Sequence, residues 1–336
     1  MNRSGYVDTA AGQASPTMQP LVLGPNQPPT FYRGGGRIAS FRGTAATDSP
    51  EDWVASTTSR FGLAPAGLTT LDDGSTLLAA VRADPVGWVG DDSADIGVLV
   101  KLLDAGQRLP VHVHPTRDFA RAHLGSPYGK TEAWLVLEAE VDAVVHLGFS
   151  RDVGPEELAR WVEAQDVAAL LAVTNRVPLR PGDAILCPAG TPHAIGEGVL
   201  LLEVQEPTDL SVLLEWEGFA AGPPQATLGL SLDEAMGCVD RRACTPARLE
   251  ELRTARPGSL LPAEADAFFQ LDELSPGPVS AGFAVLVVLA GTGQLVGGWG
   301  STALVRGSTV VVPAGAGPYA LSGSARVVRC RPGRSA

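Results

Sequence analysis

The chain has 336 residues, with 37 Asp and Glu against 25 Lys and Arg, so its formal net charge is −12. A balance this acidic argues against nucleic acid or an anionic membrane as the main partner, but allows a small anionic substrate in a locally basic pocket. The length suffices for one large hydrophobic core or two medium ones, and 39 glycines and 27 prolines favour a turn-rich β protein over a helical bundle.

The cysteines and the N-terminal segment both favour a cytoplasmic location. The four cysteines form no C-x-x-C pair and no regular framework, which is typical of reduced thiols, and Cys187 in an apolar run is interpreted as a core residue. The first 29 residues lack the basic start and apolar stretch of a secretory signal, and no apolar run reaches the roughly 18 residues that span a membrane. The sequence leaves the oligomeric state unknown.

The first half of the chain is expected to be an arm followed by short strands. Residues 1–30 are interpreted as an extended or partly ordered arm, and the glycines at 34–36 predict a tight turn or a close backbone approach. From about Leu77 to Glu215, Gly and Pro separate β-branched or apolar runs, and one helical insertion at about 154–175 interrupts them as a cover on the barrel. The strands predicted in this half are 97–103, 133–138, 141–148, 184–187 and 199–205.

The second half begins with a helical region and returns to strands. Ser231 to Glu234 forms a plausible capping box, and Thr245 followed by Pro246 is a second helix start. The strands predicted after this region are 267–271, 283–290, 294–297, 308–312 and 325–330. The segment 305–315 resembles 179–190, which indicates two related β-barrels, only the first of them followed by a histidine.

Three of the five histidines and one glutamate form the most informative pattern of the chain. His112 and His114 are two residues apart, so in a strand both side chains point to the same face. Glu132 and His193 follow in two further short motifs. Three imidazoles and a carboxylate suit a divalent cation such as zinc, iron or manganese, and we therefore expect one shared metal site.

At these residues the sequence resembles the cupins and, among them, the type I mannose-6-phosphate isomerases. The likeness covers roughly residues 31–215 well and the remainder in outline. The segments that carry it are EDW at 51–53, VHP at 113–115, YGKTEAW at 128–134, HLGF at 146–149, PEEL at 155–158, VPLRPGD at 177–183, PAGTPHAIG at 188–196 and LEVQ at 202–205.

The resemblance implies a mainly β fold of tandem cupin (jelly-roll) barrels with a helical insertion and a helical linker. It divides the chain into an N-terminal arm (1–30), a metal-binding cupin domain (31–225), a helical linker (226–260) and a degenerate C-terminal cupin domain (261–336). The second domain lacks histidine altogether. We interpret it as structural cover or a dimer surface.

The resemblance also implies an aldose–ketose isomerase that interconverts mannose 6-phosphate and fructose 6-phosphate through a cis-enediol. His114, Glu132 and His193 match three family ligands, and His112 stands where the family has Gln, so zinc is expected, with iron, nickel or manganese as alternatives. The other residues assigned by the resemblance are Glu203 as base or orienting carboxylate, Lys130 as a phosphate or oxyanion partner, Asp209 as an orienting residue, and Glu51 and Trp53 as substrate-binding residues.

Two departures from the family pattern leave the substrate open. Leu213 stands where the family has an arginine after Asp209, which the resemblance assigns to catalysis, and Pro110 stands where the family has a serine for the substrate phosphate. An apolar residue supplies neither the charge nor the forked donors of a guanidinium. Either another cation substitutes, or the chain is a different metal-cupin enzyme for an unphosphorylated sugar, or it is a non-catalytic sugar-binding cupin. The candidates for a substitute cation are Arg33, Arg37 and Arg60.

Overall fold

The computed structural model of the chain describes residues 18–220 and 222–334, which build mainly antiparallel β-sheet. The strands are β1 (Leu21–Leu23), β2 (Glu51–Val54), β3 (Leu99–Ala105), β4 (His112–Val113), β5 (Glu132–Ala139), β6 (Val144–Phe149), β7 (Thr174–Pro178), β8 (Ala184–Cys187), β9 (His193–Ile195), β10 (Val199–Gln205), β11 (Val212–Leu213), β12 (Phe269–Leu274), β13 (Gly277–Val279), β14 (Ala284–Ala290), β15 (Thr292–Gly297), β16 (Gly300–Val305), β17 (Thr309–Val312), β18 (Tyr319–Gly323) and β19 (Arg326–Pro332).

Short helices lie between the strands. They are α1 (Arg37–Arg42), α2 (Leu77–Ala83), α3 (Pro85–Val89), α4 (Arg117–His123), α5 (Pro155–Glu163), α6 (Val167–Val173), α7 (Pro223–Ala226), α8 (Leu232–Met236) and α9 (Pro246–Glu251), with 3₁₀ turns at Ala263–Ala267 and Ala314–Ala316. None of the helices in the described ranges has the length and hydropathy needed to cross a membrane.

The strands form two jelly-roll barrels of two sheets each. The first barrel joins a sheet in the order β2-β3-β10-β5-β8 to one in the order β11-β4-β9-β6-β7. The second joins β1-β17-β14-β19-β12 to β13-β18-β15-β16. Apolar residues of β5 and β10 share one buried cluster with residues of β12, β14 and β19, so the two barrels pack against each other through the sheets that contain these strands. The mainly β tandem-barrel architecture expected from the sequence is therefore confirmed.

The helical insertion covers the outer face of the sheet that carries the histidines. Pro155 starts α5, Asp166 caps α6 by accepting a hydrogen bond from the Ala169 N–H, and the chain breaks between them as the apolar spacing predicted. Apolar side chains of both helices pack with Val111 and Val113, which alternate along the chain with His112 and His114. The alternation places valines under the helices and histidines inside the barrel.

One part of the strand prediction was wrong. Residues 77–89, expected within a region of strands, form α2 and α3. The side chain of Thr76 accepts a hydrogen bond from the Ala79 N–H, and Asp84 caps α3 with Pro85 in its first turn. Leu77 and Val81, one helical turn apart, are fully buried, so capping and the i, i+4 pair favour a helix in this Leu- and Ala-rich stretch. The helix α4 was also not anticipated, and here Thr116 is the cap.

The N-terminal arm adds a strand to the second barrel. Leu21–Leu23 pairs antiparallel with Thr309–Val311 of β17, and the guanidinium of Arg42 donates to the Leu23 carbonyl at 2.7 Å. Of the predicted arm, residues 21–23 thus form a strand, and residues 1–17 lie outside the described residues. The capping box at Ser231 and the helix start at Thr245 are both confirmed. The division of the chain at residues 30, 225 and 260 stays a proposal.

Candidate metal centre and active-site pocket

Two short strands and the residue that follows one of them bring the three histidines together. His112 on β4 lies directly opposite His193 on β9, and their ring centroids are 4.1 Å apart. His114 lies 4.9 Å from each of the other two rings. Each ring is held through its Nδ1, which lies 2.8–2.9 Å from a backbone carbonyl oxygen. The carbonyl belongs to Pro110 for His112, to Leu210 for His114 and to Thr191 for His193. Such carbonyl partners fix the tautomer and leave Nε2 as the ligand atom.

Glu132 and Lys130 complete this cluster from the start of β5. The two oxygens of the Glu132 carboxylate lie 3.1 Å from Nε2 of His114 and 3.1 Å from Nε2 of His193. The Nζ of Lys130 is 2.6 Å from Glu132 and 2.8 Å from Nε2 of His114. The expectation that Lys130 shares the face of Glu132 is therefore confirmed, and all five side chains are buried.

The chemistry of these residues fits a divalent cation. Nε2 of His193 is fully buried and, although it lies 3.1 Å from Glu132, it has no hydrogen-bond partner among the described residues. Burial, with the neighbouring histidines, lowers the pKa of His112 well below its usual value, and burial lowers that of His114 to about 3. Neutral imidazole is the form that binds metals. Burial opposes the ionisation of Glu132, but His114 and Lys130 outweigh it and lower its pKa.

Cys187 borders the same cluster. It faces Glu132 across the β5–β8 pair, and its Sγ lies 3.5 Å from Nδ1 of His193. Glu132, Cys187 and His193 would also bring three donor atoms within reach of one ion. Burial, and then the charge of Glu132, raise the pKa of the thiol, however, so it retains its proton and packs as an apolar group.

A second buried polar group lies beside the histidines. Glu203 on β10 is opposite Lys101 on β3, and the Lys101 Nζ is 3.2 Å from the Glu203 carboxylate. Burial raises the pKa of Glu203, a direction that the nearby Lys101 opposes without reversing. Burial disfavours charge on Lys101 as well, but Glu51 and Glu203 more than compensate and raise its pKa. Glu203 thus combines burial with a raised pKa, which is typical of a group that carries a proton.

Glu51 and Trp53 lie differently with respect to the pocket that His112, Glu132 and Glu203 line. The Glu51 carboxylate also lines this pocket, and it accepts hydrogen bonds from the Tyr32 hydroxyl at 2.5 Å and from the Trp53 indole at 2.6 Å. Trp53 is 0% exposed and lies behind Glu51 and Lys101, outside the residues that line the pocket. Its predicted role in substrate binding therefore becomes an indirect one, through the position of Glu51.

Of the three arginines considered as substitute cations, Arg60 alone lines the pocket. Its Nε is 3.4 Å from the Asp209 carboxylate, which also accepts a hydrogen bond from the Phe61 N–H. Asp209 thus contacts both Arg60 and the backbone of Phe61, and its orienting role stays a prediction. Arg37 instead pairs with Asp104 and Glu140, and Arg33 donates to Gln107. The family position of the missing arginine, Leu213, is opposite His112 on the adjacent strand.

Sequence reasoning missed Lys101 and Tyr32. Lys101 is the one charged residue in the apolar run 98–103, and this was the available signal, because a lysine in a buried strand needs a carboxylate partner. Tyr32 offered no comparable pattern. The pocket itself is lined by Phe31, Tyr32, Glu51, Arg60, Lys101, Leu103, Leu109, Pro110, His112, Lys130, Glu132, Ile195, Glu203, Asp209 and Ser211.

Two jelly-roll barrels in tandem, with histidines and a glutamate gathered inside the first, define a metal-dependent cupin. The chain is 30% identical over 241 residues to the mannose-6-phosphate isomerase ManA of Bacillus subtilis (strain 168), an alignment that covers 69% of this chain and 73% of that protein. No protein-family profile matches the chain.

Two solved structures have the same fold. The mannose 6-phosphate isomerase from Bacillus subtilis matches with a TM-score of 0.72 and 20% identity, over 94% of this chain and 100% of that one. A mannose 6-phosphate isomerase bound with zinc and yttrium matches with a TM-score of 0.70 and 17% identity, over 95% and 100%. On the sequence identity to ManA, this chain belongs to the mannose-6-phosphate isomerase family, as its motifs indicated.

Proposed function

We propose that the chain is a metal-dependent aldose–ketose isomerase that interconverts mannose 6-phosphate and fructose 6-phosphate. The observation that carries the proposal is the buried convergence of three imidazoles and Glu132 beside the separate Glu203–Lys101 pair. The reaction needs both parts, since one must stabilise charge on the sugar oxygens and the other must move a proton. Membership of the family supports the same activity.

The proposed ligands of the cation are His112, His114, Glu132 and His193. A divalent metal held there, most simply zinc, supplies Lewis acidity toward the substrate carbonyl when bound. The fit rests on the orphaned Nε2 of His193 and on the lowered pKa values of His112 and His114. These residues hold the ligand atoms in a cavity that excludes bulk water.

The proposed proton carrier is Glu203. Glu203 takes the proton from C2 of the aldose, which leaves a cis-enediolate with its charge on the C1 oxygen. The proton of the C2 hydroxyl passes to the C1 oxygen, and protonated Glu203 then gives its proton to C1 as the C2 oxygen becomes the carbonyl of the ketose. Burial raises the pKa of Glu203 and brings it closer to neutral pH, where one group can both accept and return a proton.

The proposed roles of the remaining polar residues follow from their charges. Lys101 holds Glu203 in place and balances its charge, while Lys130 presents an ammonium group next to the cluster for a substrate oxygen. Glu51 lies 3.8 Å from Lys101 and Asp209 lies beside Arg60, so each carboxylate positions a cation rather than the reacting atoms.

A coupled assay on mannose 6-phosphate tests this function, with free mannose and free fructose as controls. We expect turnover of the phosphorylated sugar, loss of turnover after chelation, and recovery on addition of zinc. In D₂O we expect deuterium at C1 of the fructose 6-phosphate formed. A fully metal-loaded protein that binds the sugar phosphate but neither turns it over nor exchanges the proton contradicts the isomerase and favours a sugar-binding cupin.

Pro110 on the pocket wall favours a second candidate, a metal-cupin enzyme for an unphosphorylated sugar. Proline offers neither a hydroxyl nor an N–H to a phosphate. Turnover of free mannose that equals or exceeds that of mannose 6-phosphate would select this alternative. A cytoplasmic location and the lack of nucleic-acid and membrane partners remain predictions from composition, and the oligomeric state remains open.

A further inference from the structure

The wall of the pocket around β11 carries no cation of its own. Leu213 is 5% exposed and lies opposite His112, so its side chain contributes an apolar surface beside the cluster. Pro110 is equally apolar. An anionic group of the substrate therefore needs a partner from another element of the chain.

Arg60 reaches this place from the loop after β2. It lines the inner pocket together with Lys101 and Glu203, and it also lines an adjoining outer pocket together with Leu213 and Phe219. Arg60 thus lies where the two pockets meet, and the inner of them is also lined by His112 and Glu132. A ligand whose reacting end reaches the histidines would place its other end near this guanidinium.

The surroundings of Arg60 hold the guanidinium in place without using up its donors. Its Nε is 3.4 Å from Asp209 and its Nη1 is 4.0 Å from Glu51, and the Nε has no hydrogen-bond partner in the part of the chain that the structure describes. The Cζ of the guanidinium lies 5.9 Å from the ring centroid of Phe31 and 6.0 Å from that of Trp53. The side chain is only 11% exposed, so water does not fully solvate this charge.

We propose that Arg60 binds the phosphate group of the sugar phosphate, where the inner and outer pockets meet, and so provides the phosphate contact that Pro110 cannot. The proposal rests on the proposed function for the identity of the sugar. A guanidinium with free N–H groups in a fixed plane matches two phosphate oxygens, and burial strengthens the attraction. Asp209 and Glu51 act as positioning residues for the arginine, too distant to neutralise it by short hydrogen bonds.

Isothermal titration calorimetry on metal-loaded protein tests the proposal. One series uses an equilibrated mixture of mannose 6-phosphate and fructose 6-phosphate, and the other uses mannose. We expect Arg60→Met to raise the Kd for the phosphorylated sugars by roughly 10- to 100-fold, the range for loss of a charge-assisted contact, and to leave the Kd for mannose unchanged. In the assay the same change should raise KM far more than it lowers kcat.

Arg33→Met is the matched control, because it removes the same charge from an exposed side chain outside the pocket. It should leave both Kd values unchanged. Arg60→Lys keeps the charge but loses the planar fork, and should raise the Kd for the phosphorylated sugars by about 3- to 10-fold. If Arg60→Met fails to fold, this second variant carries the test.

The outcomes separate this proposal from the proposed function. Equal losses for mannose and its phosphate after Arg60→Met would overturn the phosphate role and indicate a structural one. Wild-type protein that binds the phosphate no better than mannose would overturn it as well, even if isomerisation occurs. Conversely, an Arg60-dependent preference for the phosphate in a protein without turnover would support Arg60 and contradict the isomerase.

Discussion

The two barrels have the same strand order but opposite interiors. Strands β8, β5, β10 and β3 of the first barrel correspond to β17, β14, β19 and β12 of the second, and β4, β9, β6 and β7 correspond to β13, β18, β15 and β16. The strand registers then show which residues of the first barrel correspond to which residues of the second. The matched pairs are His112 with Val279, Glu132 with Ala284, Cys187 with Val312 and His193 with Tyr319.

The difference shows that the fold and the site depend on different residues. In the second barrel all four matched positions belong to one apolar cluster, which is sufficient to stabilise the sheets. In the first barrel the same positions hold groups whose burial costs free energy unless a ligand or a partner satisfies them. The scaffold therefore tolerates both interiors, and the chemistry comes from a few inward positions.

The ion pair between the matched strands is reversed in the second barrel. Glu203 and Lys101 face each other in the first, and the matched residues are Arg329 and Asp272, whose closest atoms are 2.8 Å apart, in the second. A charge pair across these two strands is thus a shared feature of the architecture, and the orientation of the pair is specific to each barrel. The carboxylate is on β10, beside the histidines, in the first barrel, whereas in the second barrel it is on β12.

The largest effect is expected at His193, which corresponds to Tyr319 of the second barrel. His193→Ala should remove the metal and lower activity by at least about 1,000-fold, because the cation supplies charge stabilisation that no other group provides. Metal analysis of the purified protein and the coupled assay measure both effects. Tyr319→Phe, the matched change in the second barrel, should alter neither. Full metal content in His193→Ala would contradict the ligand assignment.

The next largest effect is expected on stability, when a carboxylate is introduced into the second barrel. Ala284→Glu places the residue type of position 132 among apolar neighbours, where Arg331, one residue beyond the Val285–Cys330 pair, is already paired with Asp272. We expect a loss of roughly 3 kcal/mol in the free energy of unfolding, from overpacking and an unpaired charge. Urea denaturation measures it. Ala284→Met separates size from charge, and equal losses in the two variants would show that charge plays no part.

The reversed ion pairs give a third test. Glu203→Gln keeps the shape and a hydrogen bond but removes the base, so kcat should fall by about 100-fold while KM and metal content stay near wild type. Arg329→Met, the matched change, should lower stability modestly without affecting kcat. Retention of deuterium exchange at C1 in Glu203→Gln would assign the proton transfer to another residue.

The sequence predicted most of the regular strands because their patterns are local. β8 and β10 begin and end where the apolar runs do, and the resemblance between 179–190 and 305–315 correctly marked β8 and β17 as equivalent. β16 was missed, since Gly300, Ser301 and Thr302 give no apolar alternation and the strand is formed by its pairing with β15. β4 and β11 contain only two residues each, too few for any periodicity.

The candidate site was predictable where spacing alone determines it. His112 and His114 two residues apart, and Lys130 two residues before Glu132, already imply shared faces. The sequence identified Arg60 only as one of three candidate arginines. Which of the three lines the pocket depends on how the loop after β2 folds over the mouth of the pocket. The buried position of Trp53 likewise depends on packing between strands distant in sequence.

The smallest effect is expected at Cys187, which corresponds to Val312 of the second barrel. Cys187→Val should change the free energy of unfolding by less than about 1 kcal/mol and leave metal affinity within a few-fold of wild type. The reason is that Nδ1 of His193 is already held by the Thr191 carbonyl, and the Cys187 thiol retains its proton and packs against the ring. The reciprocal Val312→Cys should be equally mild. Metal affinity measured by competition with a chelator distinguishes the alternatives, because a fall of 100-fold or more in Cys187→Val would make the thiol a ligand. In that case the difference between the barrels would extend to a fifth donor, and His112 would have to be tested as the residue displaced from the cation.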